Sequence, residues 1–247
     1  MHRALPLLLL PMVAMAQKKP DLDALFEKHT FTKGDASLNY RMMTPPKVEG
    51  KKTYPLVVFL HGAGERGDDN AAQLKHGAAE FAKASTRKKH PCYVIAPQCP
   101  EKGWWAGRFR GKEMPGSGPL VLELIDKLCQ ELPIDKKRIY ITGLSMGGFG
   151  SWALMAQRPE LFAAGIPICG GGDEKAAGKL AKIPIWAFHG DEDKAVKGDL
   201  SRAMVKAIEK AGGKPKYTEY EGVGHDSWTQ TYKNPEVIDW LFAQKKE

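Results

Sequence analysis

The sequence has 247 residues, with 37 basic and 29 acidic side chains and a formal net charge of +8. Its length suits one sizeable α/β domain and does not require two. The lysines are scattered and lack interleaved aromatic residues, which favours a solvated surface over a nucleic-acid site. No apolar run reaches the ~20 residues needed to span a bilayer, which argues against a membrane-inserted protein.

The start of the chain has the pattern of a secretory signal. Arg3 gives a basic beginning, residues 4–13 form an apolar run, and an A-x-A cleavage site ends at Ala16. The signal pattern predicts export, and no cysteine follows the cleavage site to carry a lipid anchor. We therefore predict a secreted or periplasmic protein. The prediction divides the chain into a signal peptide, residues 1–16, and a single domain, residues 17–247.

A helix-like stretch, "DLDALFEKH", and a β-hairpin are predicted next. The hairpin consists of "HTFTKG" and "ASLNYRMMTP", with a turn at Lys33 and Gly34. From Tyr54 onwards, apolar runs alternate with segments of helical period. The predicted strands are "YPLVVFLHG", "CYVIAPQ", "RIYITG", "AAGIPICGG", "IPIWAFHG" and "KYTEYEG". The predicted helices are "NAAQLKHGAAEFAKAS", "GPLVLELIDKLCQEL", "SMGGFGSWALMAQR", "EKAAGKLAK", "DLSRAMVKAIEKAGG" and "NPEVIDWLFAQKK".

Unbroken apolar runs of this kind fit strands that are buried on both faces, with the helices as right-handed crossovers. The sequence therefore predicts an α/β fold, a doubly wound and mostly parallel sheet with an N-terminal antiparallel hairpin. In such sheets the reacting groups gather at the carboxyl ends of the strands.

The four cysteines form no CxxC pair, which gives little support to a zinc or thioredoxin-like site. Cys92 and Cys99 bracket one predicted strand and should lie roughly 20 Å apart, too far for a disulfide. Cys92 and Cys129 could pair if the intervening helix returns to the start of that strand. Free buried thiols are the other interpretation.

One predicted strand ends in the pattern G-x-S-x-G, formed by Gly143, Ser145 and Gly147. A sharp strand-to-helix turn exposes the central serine hydroxyl and holds its backbone in a strained conformation. A side chain two positions before or after the serine would collide with that turn. The pattern and its position predict that Ser145 is a nucleophile.

The same stretch contains part of a dinucleotide-binding fingerprint, G-x-G-x-x-A, at Gly148, Gly150 and Ala153. The first of these glycines lies inside the predicted helix, and the next strand ends without an acidic residue. Both features differ from the fingerprint's required context. We therefore expect these small residues to serve close packing of the helix on the sheet.

A serine nucleophile needs a histidine base, and the base needs a carboxylate to orient it. Two histidines, His189 and His225, follow Ser145 in the chain. His189 directly ends a buried run, where a structural role is favoured. His225 lies in the glycine-rich loop "GVGHDSW" after the last strand, and we predict that it is the base.

The orienting acid is expected after the strand "IPIWAFHG", where Asp191 and Asp193 both lie. We favour Asp193 because it lies further round the turn. Asp173, which follows the strand next to the serine strand, is an alternative. Asp226 is expected to cap its loop.

The developing oxyanion requires two backbone N–H donors. Met146 supplies one at the start of the helix, and the small-residue run "HGAG" supplies the other at Ala63. His61 in that run is expected to brace the loop.

Several further residues are expected to line the site. Glu65 and Arg66 form either a salt-bridged clamp on the oxyanion loop or a substrate contact. Trp104, Trp105 and Trp228 lie in loops at the active edge, where they either bind substrate or anchor the local core.

The segments "HGAGERGDDN", "APQCP", "GLSMGGFGSW", "PICGGGD", "FHGDEDKAV" and "GVGHDSW" together resemble the serine-esterase branch of the α/β-hydrolase superfamily. The chain is similar to bacterial carboxylesterases grouped with dienelactone hydrolase-like and feruloyl esterase-like enzymes, over about residues 54 to 242. The resemblance implies the α/β-hydrolase fold without a large lid. It also implies a Ser145–Asp193–His225 triad, with Ala63 and Met146 at the oxyanion hole.

The expected activity is hydrolysis of carboxylic esters through an acyl-enzyme. The expected substrates are short acyl, acetyl or hydroxycinnamoyl esters, including esters linked to polysaccharides. The alternatives are a peptidase of the prolyl-oligopeptidase kind and a non-catalytic α/β-hydrolase-like binding protein. No metal or organic cofactor, nucleic-acid partner or stable membrane insertion is expected.

Overall fold

The computed structural model describes residues 20–247, apart from residues 107, 110, 111, 114 and 115. The predicted signal peptide, residues 1–16, lies outside the described residues. The first helix, α1 (Leu22–Leu25), is a single turn capped by the Asp21 carboxylate, which accepts a hydrogen bond from the Ala24 N–H. This helix is shorter than the predicted helix-like stretch because the chain enters a strand at Glu27.

The predicted hairpin is confirmed. Strands β1 (Glu27–Lys33) and β2 (Ala36–Met43) pair antiparallel, and the register places Lys33 opposite Ala36. Gly34 in the turn has a φ of +55°, a conformation that glycine adopts without steric cost.

The remaining strands are β3 Tyr54–Leu60, β4 Tyr93–Pro97, β5 Arg108–Phe109, β6 Lys112–Glu113, β7 Ile134–Leu144, β8 Ala164–Ile168, β9 Trp186–Gly190 and β10 Lys216–Tyr220. Eight strands form one sheet in the order β1-β2-β4-β3-β7-β8-β9-β10, and β5 pairs with β6 separately. Pairing is parallel from β4 to β10, whereas β2 pairs antiparallel with β4. The predicted doubly wound sheet with its antiparallel N-terminal hairpin is therefore confirmed.

The other helices are α2 Ala78–Ala82, α3 Ala84–Lys89, α4 Gly118–Glu131, α5 Met146–Gln157, α6 Ala177–Leu180, α7 Asp199–Lys210, α8 Trp228–Lys233 and α9 Pro235–Ala243. They cover both faces of the sheet and produce two hydrophobic clusters. Helices α4 to α7 contribute to one cluster, and α2, α8 and α9 contribute to the other.

Strand β3 has all seven residues buried, as expected for a strand between two helical layers. Its residues alternate between the clusters: Leu56 and Val58 belong to the first, whereas Val57 and Phe59 belong to the second. The central strands therefore carry the core of both layers and fix the loops at their carboxyl ends.

The single long helix predicted for residues 70–85 is wrong. The segment is broken into a short 3-10 turn and the helices α2 and α3. Gly77 interrupts it with a φ of +72°, and a Cβ there would lie 2.5 Å from the Phe59 ring. Close packing on the sheet therefore overrides the helical period of this segment.

All four cysteines are free thiols. Cys92 and Cys129 do not pair, so the interpretation as free thiols holds. No helix within the described part of the chain is long and apolar enough to cross a membrane.

Candidate active site

Ser145 lies at the corner between β7 and α5. Its φ of 52° and ψ of −113° are outside the regions that non-glycine residues favour. A Cβ at Gly143 would lie 2.5 Å from the Gly147 carbonyl oxygen, and a Cβ at Gly147 would lie 1.9 Å from the Leu60 carbonyl oxygen. Only glycine fits at these two positions, so the pattern is a steric requirement of this corner.

The glycines of the partial dinucleotide fingerprint have a packing role. A Cβ at Gly148 would lie 2.2 Å from the Ile168 carbonyl oxygen, and a Cβ at Gly150 would lie 2.6 Å from Trp105 Cβ. These glycines let α5 approach β8 and the loop before α4. Their presence therefore needs no bound nucleotide to explain it.

Three loops bring Ser145, His225 and Asp193 together. Ser145 Oγ lies 3.0 Å from His225 Nε2, and His225 Nδ1 lies 2.6 Å from Asp193 Oδ2. A proton on Nδ1 donates to the carboxylate, which leaves Nε2 free to accept from the serine hydroxyl. The three side chains form a continuous hydrogen-bonded relay. Ser145 and His225 are 80 positions apart in the sequence, and His225 and Asp193 are 32 apart.

The Asp193 side chain is fully buried and surrounded by hydrogen-bond donors. Its Oδ1 accepts from the Ala195 and Val196 N–H groups, both at 2.9 Å. Its Oδ2 faces His225, so both oxygens are used. These bonds satisfy a carboxylate that would otherwise be costly to bury.

The other acidic candidates lie elsewhere. Asp191 is exposed. Asp173 accepts a hydrogen bond from the Lys175 N–H at 3.0 Å and caps a 3-10 turn. Asp226 accepts from the backbone N–H and the hydroxyl of Thr229. Asp193 is the acid among these four that contacts His225.

His189 is buried beside the same carboxylate. Its Nε2 lies 2.9 Å from the Val196 carbonyl oxygen and 3.3 Å from Asp193 Oδ2, and its Nδ1 lies 2.7 Å from Ser201 Oγ. Burial lowers its pKa, which keeps the ring neutral near neutral pH. His189 therefore supports the Asp193 loop and makes no contact with Ser145 Oγ.

Cys169 lies directly behind the serine and was missed as a site residue by sequence reasoning. It ends the strand next to β7, has a φ of +41°, and its Sγ accepts from the Ser145 N–H at 3.2 Å. The Ser145 N–H also donates to the Ile168 carbonyl at 3.0 Å. The usable signal in the sequence was its position at the end of the neighbouring strand.

Ala63 and Met146 are the two predicted oxyanion donors, and each stands at the first position of a helical turn. Ala63 begins a 3-10 turn after β3, and Met146 is the first residue of α5. Within the described part of the chain, neither N–H donates to a protein acceptor. Their role at the oxyanion hole stays a prediction.

Arg66 holds the loop that contains Ala63. Its Nε donates to the Ala63 carbonyl at 2.9 Å, and one terminal nitrogen lies 3.4 Å from the Gly103 carbonyl. Glu65 is buried, and its carboxylate lies 3.7 Å from His76 Nε2. The loop is thus clamped by arginine on backbone carbonyls rather than by a Glu65–Arg66 salt bridge.

His61 braces the same loop as expected. Its Nδ1 lies 2.6 Å from the Gly62 carbonyl oxygen, and its Nε2 accepts from the Cys99 N–H at 2.9 Å. The Trp105 indole N–H donates to the His61 carbonyl at 3.0 Å. Burial lowers the pKa of His61 to about 4, so the ring stays neutral and can accept the Cys99 bond.

The three tryptophans have different environments. Trp105 is completely buried, and Trp104 is buried with its ring centroid 6.1 Å from that of Phe149. Trp228 is half-buried, and its ring meets the His225 ring edge-on at a centroid distance of 5.3 Å. Trp228 therefore lies against the relay, whereas Trp105 supports the loop from inside the core.

Cys169, Asp193 and His225 each place one potential metal ligand within 4.8 Å of the others. These ligand atoms already have partners in the protein. Asp193 is bonded to His225, and the Cys169 Sγ accepts a hydrogen bond from the Ser145 N–H. Burial also raises the pKa of the Cys169 thiol, which disfavours the thiolate that metals bind. The residues fit proton transfer better than metal binding.

The fold and the relay together define an α/β-hydrolase with a serine, a histidine and an aspartate at its active edge. Residues 47–235 match the family described as Phospholipase/Carboxylesterase. The chain belongs to this family, a class of hydrolases that cleave carboxylic esters.

Individual relatives agree with this assignment. The chain is 28% identical to poly(3-hydroxyalkanoate) depolymerase C of Paucimonas lemoignei, covering 68% of this chain and 40% of that protein. It is 25% identical to a probable feruloyl esterase C of Aspergillus oryzae, covering 78% and 68% respectively. A crystal structure of a thermostable esterase is 44% identical, with a TM-score of 0.87 over 91% of this chain and 64% of that chain. The chain thus spans less than two thirds of the depolymerase and of the thermostable esterase.

Proposed function

We propose that this protein is a serine carboxylic-ester hydrolase that works through an acyl-enzyme. The observation that carries the proposal is the relay from Ser145 Oγ to His225 Nε2 at 3.0 Å and from His225 Nδ1 to Asp193 Oδ2 at 2.6 Å. A half-buried serine on a strained corner, with an imidazole nitrogen 3.0 Å from its hydroxyl, is the arrangement that activates a hydroxyl for attack.

In the first half-reaction, Ser145 Oγ attacks the ester carbonyl carbon while His225 Nε2 takes the hydroxyl proton. The carbonyl oxygen becomes an oxyanion that accepts from the Ala63 and Met146 N–H groups, and the loss of one such donor costs about 3 kcal/mol in the barrier. Asp193 accepts from Nδ1–H and stabilises the imidazolium. His225 then protonates the leaving alcohol as its bond to carbon breaks.

In the second half-reaction, water attacks the acyl-enzyme carbonyl carbon and His225 Nε2 takes a proton from it. The new oxyanion uses the same two N–H donors. Collapse of this intermediate breaks the bond to Ser145 Oγ, which regains its proton from His225. The products are a carboxylic acid and the free serine, so the atoms balance without a further co-reactant.

The proposed substrates are short acyl, acetyl or hydroxycinnamoyl esters, including esters linked to polysaccharides. The similarity to a protein named feruloyl esterase C supports the hydroxycinnamoyl part. Poly(3-hydroxyalkanoate) is a polyester, so the similarity to a poly(3-hydroxyalkanoate) depolymerase supports ester hydrolysis on polymers. Trp228 beside His225 offers a surface for a ring or a sugar in the leaving group.

A panel of p-nitrophenyl esters with acyl chains of rising length tests the activity. We expect turnover of the short esters, and Ser145→Ala should lower it by about 10⁵-fold without unfolding the protein. Ser85→Ala, at an exposed serine on α3, is the matched control and should retain full activity.

A fluorophosphonate probe separates an enzyme from a binding protein with the same fold. The probe should label Ser145 in the unchanged protein, and His225→Ala should slow that labelling strongly because the serine loses its base. Absence of both labelling and ester turnover in the folded protein would rule out the proposed function.

A further inference from the structure

Lysine side chains that are scattered in the sequence come together at the amino ends of the strands. Two grooves lie there, with volumes of about 830 and 380 Å³. Both are lined by Lys182, Ile183 and Pro184, so they adjoin one another. We call the two grooves together the lysine track. The lysines that line it are Lys179, Lys182, Lys214, Lys216, Lys245 and Lys246.

The lysine track lies at the opposite edge of the sheet from the relay. Lys216 begins β10, and Ile185 directly precedes β9. Asp193 and His225 follow the carboxyl ends of the same two strands. β9 and β10 have five residues each, which corresponds to roughly 16 Å. A molecule bound in the lysine track therefore leaves the active site open.

The lysine track has an excess of positive charge. Its acidic side chains are Glu160 and Glu247, and Glu160 is already paired with Arg158 at 2.6 Å. Four exposed lysines of the track form no ion pair with any residue that the structure describes: Lys179, Lys182, Lys214 and Lys245. Because like charges held close together repel one another, an anionic ligand would be attracted to this surface and would relieve the repulsion.

Lys246 fixes the chain that forms one wall of the track. Its Nζ donates to the carbonyl oxygens of Glu160 and Leu161 at 2.7 and 2.9 Å. Its backbone N–H donates to the Lys137 carbonyl at 3.0 Å. The wall is therefore held by three hydrogen bonds and places the exposed Lys245 beside the groove.

The surface between the lysines is largely apolar. Phe162 and Ile183 are buried side chains that line the larger groove together with Pro184. Trp240 is half-buried and lines the smaller groove. A sugar ring has C–H groups that pack on apolar and aromatic surfaces, while its polar groups point outwards. This combination of charge and apolar floor suits a charged sugar.

We propose that the lysine track binds a linear polysaccharide whose sugars carry carboxylate groups, a polyuronate. The repeated carboxylates pair with the lysine ammonium groups, and the sugar rings lie on the apolar surface between them. Two adjoining grooves offer room for several units of a chain. The proposal goes beyond ester hydrolysis and does not depend on it.

The same lysines fit a nucleic acid less well. Nucleic-acid sites commonly use arginine for the phosphates and several aromatic side chains on which bases stack. Every basic residue among the described residues that line the track is a lysine. The nearby Trp186 ring has Lys216 Nζ 3.5 Å from its centroid and the Phe188 ring stacked on it at 5.0 Å. The protein itself therefore occupies this ring.

A lipid surface is also disfavoured. Val48 and Leu200 are the exposed large hydrophobic residues within the described ranges, and neither lines the track. A basic surface without an exposed apolar face has no group to insert below the lipid headgroups. The track therefore favours a hydrated polymer over a membrane.

Fluorescence anisotropy with end-labelled oligogalacturonate tests the proposal. We expect binding that weakens as the salt concentration rises, because salt screens the charges. A neutral oligomer of galactose of the same length should not bind. Lys182→Glu/Lys214→Glu/Lys245→Glu should weaken the binding of oligogalacturonate by about tenfold or more, because it reverses three charges of the track.

Lys51→Glu/Lys88→Glu/Lys233→Glu is the matched control. These three lysines are exposed, lie outside the track and form no ion pair within the described part of the chain. Each Lys→Glu change removes two charges, so both triple variants lower the formal net charge from +8 to +2. The control should change the affinity by less than about threefold. The melting temperature reports whether each variant is folded, so the test does not require ester turnover.

Equal weakening in the two folded variants would show that the net charge, and not the track, carries the binding, and would overturn the proposal. So would the absence of binding to oligogalacturonate at low salt. Tighter binding to a single-stranded DNA oligonucleotide of equal charge, or to vesicles of phosphatidylcholine and phosphatidylserine, would assign the track to that partner and overturn the polyuronate. None of these results bears on the proposed ester hydrolysis, which the labelling of Ser145 tests separately.

Discussion

Asp193 illustrates how much of the site depends on single side chains. It accepts from two backbone N–H groups and from His225, and it lies beside the neutral ring of His189. The carboxylate is held in one orientation by its own loop, and its free lone pair faces Nδ1 of His225. The tautomer that leaves Nε2 open to Ser145 follows from this arrangement.

We predict that Asp193→Asn lowers kcat by about three orders of magnitude, because the amide no longer fixes the tautomer and orientation of His225. Asp191→Asn, two residues earlier and exposed, should leave kcat unchanged. Steady-state kinetics with p-nitrophenyl acetate measure both. An equal change in kcat in the two variants would show that Asp193 does not orient His225.

The serine and the histidine were predictable at this scale because each carries a local signal. Ser145 stands in a glycine pattern that a tight corner requires, and His225 lies in a glycine-rich loop after the last strand. Asp193 was favoured over Asp191 because it lies further round the turn, but this position alone does not show which of the two carboxylates contacts His225. The hydrogen bonds from Ala195 and Val196, which depend on the folded loop, distinguish them.

At the scale of elements, α5 links Ser145 to the sheet. Gly148 faces the Ile168 carbonyl at the end of β8, and Gly150 faces Trp105. The helix is buried along most of its length, so its position relative to β7 and β8 fixes where Ser145 stands.

We predict that Gly148→Ala destabilises the protein by about 3 kcal/mol or more, because the added Cβ would lie 2.2 Å from a backbone oxygen and must displace α5. The same substitution at Gly178 in α6 is the control. No atom lies within 4 Å of a Cβ there, and alanine should stabilise the helix by up to about 1 kcal/mol.

Urea denaturation measures both free energies of unfolding. A Gly148→Ala protein as stable as the unchanged one would mean that α5 can move away from β8 at no cost. In that case the glycines after Ser145 would need another explanation.

Segments whose hydrophobic periodicity agrees with their packing in the fold were predicted correctly. The segment in which the two disagree was predicted wrongly. The buried runs that became β3, β4 and β8 are apolar throughout, so their type was readable from sequence. The segment of residues 70–85 has a helical period but must pass close to Phe59 at Gly77. That contact is between residues far apart in the chain, and local periodicity carries no information about it.

At the scale of the whole molecule, buried histidines couple stability to pH. Burial lowers the pKa of His61 from 6.5 to about 4, and it lowers the pKa of His189 in the same direction. The folded state therefore binds fewer protons than the unfolded state between these values. The stabilisation from His61 is complete above pH 6.5 and is lost as the pH falls towards 4.

We predict that the free energy of unfolding falls by about 3 kcal/mol between pH 6.5 and 4 through His61 alone. Urea denaturation at a series of pH values measures this decrease. His61→Gln removes the titrating group, so its stability should depend less steeply on pH in this range. A slope identical to that of the unchanged protein would show that His61 does not contribute.

The export prediction also concerns the whole chain. Residues 1–16 have the pattern of a cleaved signal, so protein produced in a secreting bacterial host should begin at Gln17. Intact-mass measurement of the exported protein checks this. Replacing residues 7–10, "LLLL", by polar residues should keep the precursor inside the cell at its full length.

The sequence by itself indicated the main strands and most of the helices in chain order, the serine at its corner and the histidine that lies 3.0 Å from its hydroxyl, because these depend on local patterns of apolar residues and glycines. Only the tertiary structure decided which aspartate joins the relay and that Cys169 lies behind Ser145. The physical reason is distance along the chain. These contacts join residues that approach one another only after the parallel strands have aligned their carboxyl ends, and no local pattern encodes that approach.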